Sequence, residues 1–172
     1  MYRTKNDLPE KMRATVAHLL NGRLADLIDL QLQSKQAHWN VKGASFIALH
    51  ELFDQVASGV QEYVDLVAER IVQLGGVAEG TLQAVAGASQ LNAYGLTAGD
   101  WSHHVERLSS AIAVAGEGVR ESVDKVDDLG DADTADILTE ISRGLDKWLW
   151  FVEAHLQHEG SRAVPRKGGR KG

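Results

Sequence analysis

Apolar residues recur at intervals of three and four positions through most of the chain, which is the period of amphipathic α-helices. The clearest run begins near Ser45 and ends at Gly75-Gly76, a pair that favours a helix end. Its apolar members are Phe46, Leu49, Phe53, Val56, Val60, Tyr63, Val67, Ile71 and Leu74. This spacing predicts one long helix with a single apolar stripe.

Three further runs have the same period. The first predicts a helix from Pro9 to about His38, with Asp7 as its candidate cap. Its apolar stripe contains Leu20, Leu24, Leu27 and Ile28. The third helix is predicted from a cap at Asp100 to about Asp128, on Val105, Leu108, Ile112, Val119 and Val123. The fourth is predicted from Asp133 or Thr134 to near Gly160, on Ile137, Ile141, Leu145, Trp148, Leu149 and Val152.

One long connection, residues 79–99, separates the second and third long helices, and a short helix is predicted within it from Thr81. The only two prolines, Pro9 and Pro165, stand near the two ends of the chain, so nothing breaks the helices between them. Four long helices with one long middle connection indicate an all-α, ferritin-like four-helix bundle.

The composition of the 172 residues is that of a globular protein, with 44% hydrophobic and 24% charged residues. The absence of cysteine excludes disulfides, thiolate metal sites and cysteine nucleophiles. No apolar run approaches the roughly 18 residues of a membrane span, and the first ten residues lack the apolar stretch of a signal peptide. We therefore expect a cytoplasmic protein without a membrane partner.

Charge changes this picture at the C-terminal end. Residues 161–172 carry five basic residues and no acid, a charge of +5, whereas the net charge of the whole chain is −6. The remainder is therefore −6 minus +5, or −11. The basic residues are Arg162, Arg166, Lys167, Arg170 and Lys171. We expect a folded acidic domain over residues 1–160 and a disordered basic tail over residues 161–172.

Candidate chemistry is concentrated between residues 38 and 69. Imidazole and carboxylate side chains suited to iron, manganese or zinc occur there in the spacing H-x11-H-x3-D-x10-D-x3-E. The five residues are His38, His50, Asp54, Asp65 and Glu69. On a helical wheel centred on Phe53, the apolar stripe covers about −80° to +20°, whereas the last four of the five lie at about 60° to 160°.

The four candidate ligands on the second helix are spread over too great a length to bind one metal ion. Asp54 and Asp65 are 11 residues apart, which is about 16 Å of helix rise. Ligands of one ion lie within about 2–2.5 Å of it. We therefore interpret His50/Asp54 and Asp65/Glu69 as two half-sites that meet when two copies pack antiparallel about a two-fold axis.

Less specific interpretations stay open for the same residues. Carboxylates and histidines four positions apart also occur on ordinary solvated helix faces. His38 falls near the Leu20 stripe of the first helix, so it is also explained as a core or boundary histidine. The adjacent His103 and His104 are expected to be exposed and carry no assigned role.

Three stretches resemble the Dps family (DNA-binding protein from starved cells), the ferritin-like mini-cages. They are Lys35-Gln-Ala-His-Trp-Asn-Val-Lys-Gly, Phe46-Ile-Ala-Leu-His-Glu-Leu-Phe-Asp and Ala68-Glu-Arg-Ile-Val-Gln-Leu-Gly-Gly. The resemblance covers about residues 5–158 and includes Leu145-Asp-Lys-Trp-Leu-Trp-Phe-Val-Glu. The E-x-x-H pairs of larger di-iron bundles are absent from the chain.

The resemblance implies a hollow homododecamer with 23 symmetry that oxidises Fe(II), preferably with hydrogen peroxide, and stores ferric mineral. It implies dinuclear ferroxidase sites at the two-fold interfaces, with His38, His50 and Asp54 from one chain and Asp65 and Glu69 from its neighbour. Zinc and manganese suit the same ligands and would compete with iron. The resemblance also places Lys35 and Trp39 beside the site; interface packing is the alternative for the indole.

The resemblance has two looser implications. Acidic residues at the start of the last helix line an iron-entry channel in the family, and Asp136 is the best match, with Asp131 and Asp133 nearby; helix capping is the alternative for these two. Some members bind DNA through a basic tail, so the five basic residues of 161–172 are candidate DNA contacts, and the protein would then be nucleoid-associated. The alternative function is a DNA-compacting particle whose metal site is not catalytic.

Overall fold

The structure is a computed structural model that describes residues 1–97 and 99–157. Four long helices and one short helix make up its regular structure. They are α1 (Glu10–Asn40), α2 (Phe46–Gln73), α3 (Leu82–Ala88), α4 (Trp101–Leu129) and α5 (Ala132–Glu153). The all-α bundle and the short helix between the second and third long helices are confirmed.

The helices pack as two antiparallel pairs around one apolar core. α1 packs mainly along α2 and α4 along α5, because only short turns join the members of each pair. Contacts of α1 with α4 and of α2 with α5 bring the pairs together. The core contains most of the stripe residues that the sequence predicts, whereas Phe46 at the start of α2 is exposed. The largest fully buried side chains of the core include Phe53, Leu24, Leu108 and Ile141.

Two pairs of residues bring α2 and α5 close together. A Cβ added at Gly59 would lie 2.8 Å from the Trp148 indole, and Gly144 lies against the Tyr63 phenol in the same way. Each ring therefore occupies the space that the opposite helix leaves free by having glycine. None of the described helices is both long and apolar enough to cross a bilayer.

Most of the predicted helix ends agree with the structure to within a few residues. The exceptions are the cap of α1 and the end of α5. Asp100 caps α4, with its carboxylate accepting from the amides of Ser102 and His103. Pro9 occupies the cap position of α1 without a side-chain cap bond, so the capping role expected of Asp7 is wrong. α5 ends at Glu153 rather than near residue 160.

Candidate metal centre

His38 and His50 face each other where the end of α1 meets the start of α2. The two imidazoles are stacked, with 3.8 Å between ring centroids. His38 Nδ1 lies 2.7 Å from the main-chain oxygen of His50, and His50 Nδ1 lies 2.9 Å from the main-chain oxygen of His38. The carbonyl of His38 is in the last turn of α1, where helix carbonyls lack an intrahelical donor, so His50 supplies one.

These reciprocal bonds fix the tautomer of both rings. A carbonyl oxygen can only accept, so each Nδ1 carries the proton and donates it. The lone pair of a neutral imidazole then belongs to Nε2, which is the arrangement that metal-binding histidines use. The structure therefore brings His38, whose place in the site the resemblance implies, beside His50, at a half-buried position.

Asp54 stands one turn further along α2 and is joined to α1 by Lys35. Lys35 Nζ donates to Asp54 Oδ1 over 2.5 Å. This hydrogen bond lowers the pKa of Asp54, and the positive charge of Lys35 lowers it further. The carboxylate therefore stays ionised, as a metal ligand must, and half of its side chain remains exposed.

Trp39 and Phe46 border this group of residues. Trp39 is 65% exposed, and Lys35 Nζ lies 5.8 Å from the centre of its ring. The Phe46 ring lies 5.0 Å from the His50 ring and is 42% exposed. The histidine pair is thus flanked by aromatic rings that are exposed to solvent in a single chain.

Asp65 and Glu69 lie on the same helix but far from the histidine pair. Both are exposed and one turn apart, and the 11 residues from Asp54 to Asp65 correspond to about 16 Å along α2. Among residues 1–97 and 99–157, no three His, Asp or Glu side chains of a single chain converge to hold a metal ion. One chain therefore presents two separate and incomplete groups of ligands.

The three acidic residues at the start of α5 differ in their surroundings. Asp131 is 2% exposed, accepts from Arg70 Nη2 at 2.7 Å and bonds both the amide and the hydroxyl of Thr134. It is the cap of α5, which corrects the predicted helix start at Asp133 or Thr134. Asp133 and Asp136 are exposed, so they remain candidates for a channel. The buried carboxylate of Asp131 is already hydrogen-bonded to Arg70 and Thr134, so it is not available to line one.

His104 is where the prediction of exposure was wrong. It is 4% exposed, and its Nδ1 lies 2.6 Å from the hydroxyl of Tyr94. Position 104 is in register with Leu108 and Ile112 on the apolar stripe of α4, a signal that the sequence already contained. The five basic residues of 161–172 lie outside the described residues.

Comparison with known proteins agrees with the fold. A family model for the ferritin-like domain matches residues 17–160. The chain is 46% identical over 158 residues to the DNA protection during starvation protein of Agrobacterium fabrum, covering 92% of this chain and 98% of that protein.

Two solved structures are similar over nearly the whole fold. Mycobacterium smegmatis Dps in a tetragonal form has a TM-score of 0.88 and 34% identity, covering 94% of this chain and 98% of that one. Dps from Microbacterium arborescens, described in its high iron form, has a TM-score of 0.81 and 35% identity, covering 87% and 97%.

Proposed function

The chain belongs to the Dps family of ferritin-like proteins, and from that premise we propose that it is a ferroxidase that assembles into an iron-storing cage. Fe(II) is the substrate. His38, His50 and Asp54 of one chain would bind it together with Asp65 and Glu69 of a second chain. The observation that carries this proposal is the histidine pair. Both Nδ1 atoms are hydrogen-bonded to main-chain carbonyls, which leaves the Nε2 lone pairs to bind a metal ion.

Each residue has a definite part in the proposed reaction. The imidazoles and carboxylates hold two Fe(II) ions close together, and the carboxylates stabilise the greater charge of the Fe(III) product. Two Fe(II) ions give one electron each to hydrogen peroxide, which is reduced to the level of water without releasing a hydroxyl radical. Lys35 keeps Asp54 ionised and correctly placed.

Storage and entry follow from the same assembly. A closed homododecamer would retain the ferric product inside, and the Microbacterium relative has been described in a high iron form. Three copies of Asp133 and Asp136 around a three-fold axis would concentrate Fe(II) by their negative potential. Asp136 remains the best candidate for that channel.

Mixing two inactive variants tests whether the site is shared between chains. Asp54→Ala and Glu69→Ala each damage every site in a pure assembly. In a mixed two-fold pair, one of the two sites receives both substitutions and the other receives neither. Co-assembly of equal amounts should therefore restore about a quarter of the wild-type rate by random pairing, measured as Fe(III) absorbance after addition of Fe(II) and peroxide.

The controls separate a wrong site from a wrong reaction. Asp54→Ala mixed with Asp54→Ala/Glu69→Ala contains no intact site and should stay inactive. An unchanged rate in either single variant would show that these residues do not bind the iron. Retention of zinc or manganese by the wild type, without any Fe(II) oxidation, would instead indicate a metal site that is not catalytic.

DNA binding is the second candidate function, favoured by the +5 charge of residues 161–172 and by the name of the Agrobacterium relative. Twelve chains would carry 5 × 12, or 60, such charges against an acidic body. We expect a DNA gel shift at low salt that weakens steeply with added salt, because phosphate contacts release counterions.

A chain with its five basic residues of 161–172 replaced by glutamine is the matched control, since it keeps the length of the tail. It should form the same particle without shifting DNA. Binding that survives this replacement would place the DNA contacts elsewhere.

A further inference from the structure

A tyrosine and a histidine outside the metal centre form a short, shielded hydrogen bond. Tyr94, in the connection before α4, places its hydroxyl 2.6 Å from Nδ1 of His104. The two rings are stacked, with 6.1 Å between centroids. His104 is 4% exposed, and Tyr94 is half-buried. The proposed metal centre uses neither residue.

The position of the proton in this bond follows from the surroundings. Burial raises the pKa of Tyr94 to about 12. Burial also lowers the pKa of His104, and the positive charges of Arg107 and His103 add to that effect. At neutral pH the phenol is therefore protonated and the imidazole neutral, so the O–H donates to the lone pair of Nδ1. The Arg107 guanidinium, 5.6 Å from the phenol ring, also fixes the loop by donating to the carbonyl of Gly95.

We propose that Tyr94 is a one-electron donor that intercepts stray oxidants, and that His104 is the base that receives its proton. An oxidised phenol is a very strong acid, so its oxidation is easy only where a base takes the proton at once. In the step, the electron of Tyr94 passes to the oxidant and the phenol O–H bond breaks. A new N–H bond forms at Nδ1, leaving a neutral tyrosyl radical beside an imidazolium.

The oxidant is a hydroxyl radical, formed when one Fe(II) meets hydrogen peroxide in a one-electron reaction. The hydroxyl radical becomes hydroxide by taking the electron. A second Fe(II) then returns an electron to the tyrosyl radical, the proton moves back from His104, and Fe(III) is the product. Only this source of oxidant rests on the proposed ferroxidase function; the Tyr94–His104 chemistry does not.

The pair lies at the end of α1 that carries His38. Tyr94 and His104 line a cavity of about 120 Å³ together with Gln36 and Asn40 of α1. Those two residues bracket His38 in the sequence, so the cavity and His38 lie against the same helix end.

The chain contains two other tyrosines, Tyr2 and Tyr63. In the part of the chain that the structure describes, neither hydroxyl is hydrogen-bonded to an imidazole or a carboxylate. Tyr63 is half-buried like Tyr94 but lies against Gly144 and Trp148. It is therefore the matched control for a buried phenol without a base.

The test generates the oxidant without iron. Azide radicals, made by pulse radiolysis, oxidise the assembled apoprotein, and the tyrosyl radical is followed by its absorbance and by electron paramagnetic resonance after freezing. We expect Tyr94→Phe to remove the long-lived tyrosyl signal and Tyr63→Phe to retain it. His104→Gln keeps an acceptor for the O–H but no base, so formation of the radical should slow on the order of 100-fold.

A long-lived tyrosyl signal of wild-type size in Tyr94→Phe would overturn the proposal, because the radical would then reside on another tyrosine. Formation at the wild-type rate in His104→Gln would also overturn it, since the proton would not need His104. Particle size and helix content, measured on each variant, confirm that the fold is retained. A second series with Fe(II) and excess peroxide reports separately on the ferroxidase, whose failure leaves the azide result intact.

Discussion

Because His104 is buried, its contribution to the free energy of unfolding depends on pH. Its pKa is lowered in the folded chain, mainly because the surrounding protein removes water from the ring. The unfolded chain therefore binds a proton more readily than the folded chain does. The contribution to stability is complete above the unfolded value of 6.5 and is lost as the pH falls through the lower folded value.

The expected consequence is a pH-dependent melting temperature that depends on residue 104. The melting temperature of the wild type should fall as the pH is lowered below about 6.5, and that of His104→Gln should fall less steeply, since glutamine does not titrate. Scanning calorimetry over a pH series would measure both slopes. Equal slopes would show that protonation of His104 does not contribute to acid destabilisation.

Individual residues also show what the sequence was able to predict. The position of the ligand stripe off the apolar face of α2 follows from helix geometry alone, so His50, Asp54, Asp65 and Glu69 were placed correctly on the wheel. The burial of His104 follows the apolar stripe of α4, but its hydrogen bond to Tyr94 depends on a connection without periodicity. The capping role of Asp131 depends on Arg70, 61 residues earlier in the chain, and no local pattern reports such a contact.

Two glycines in the long helices have opposite effects on the stability of the bundle. Gly59 lies where α2 meets the Trp148 ring, whereas an added Cβ at Gly22 in α1 would meet nothing within 4 Å. The first glycine provides space for packing, and the second only weakens its helix. The same substitution should therefore have opposite effects at the two positions.

Gly22→Ala should stabilise the protein by about 1 kcal/mol, the difference in helix propensity between the two residues. Gly59→Ala should destabilise it by about 1–3 kcal/mol, because the indole has to move. Thermal unfolding of the two variants beside the wild type measures both. Shifts of the same sign would mean that the approach of α2 to α5 does not depend on Gly59.

At the scale of the molecule, a single chain exposes apolar residues on the side of α2 that carries the candidate metal ligands. Ile47 is 62% exposed and Val72 is 57% exposed. On the helical wheel both fall within the sector that holds His50, Asp54, Asp65 and Glu69. A second antiparallel copy would cover both residues and complete the two ligand groups, so assembly and metal binding should fail together.

Ile47→Glu tests that link without changing a ligand. We expect smaller particles and loss of most Fe(II) oxidation, because two buried glutamates would face apolar surface across the interface. Leu96→Glu, at a residue 80% exposed in the connection before α4, is the control and should assemble normally. Native mass spectrometry and the Fe(III) assay measure the two effects; full activity from a dissociated Ile47→Glu chain would contradict the shared site.

The histidine pair has a consequence for how this site can change during evolution. Each imidazole is oriented by a main-chain carbonyl of the opposite helix, and that carbonyl is present whatever side chain the position carries. Replacement of one histidine therefore does not remove the partner that orients the other. If the proposed metal site is correct, we expect its preference among iron, manganese and zinc to change one imidazole at a time, through intermediates that still bind metal.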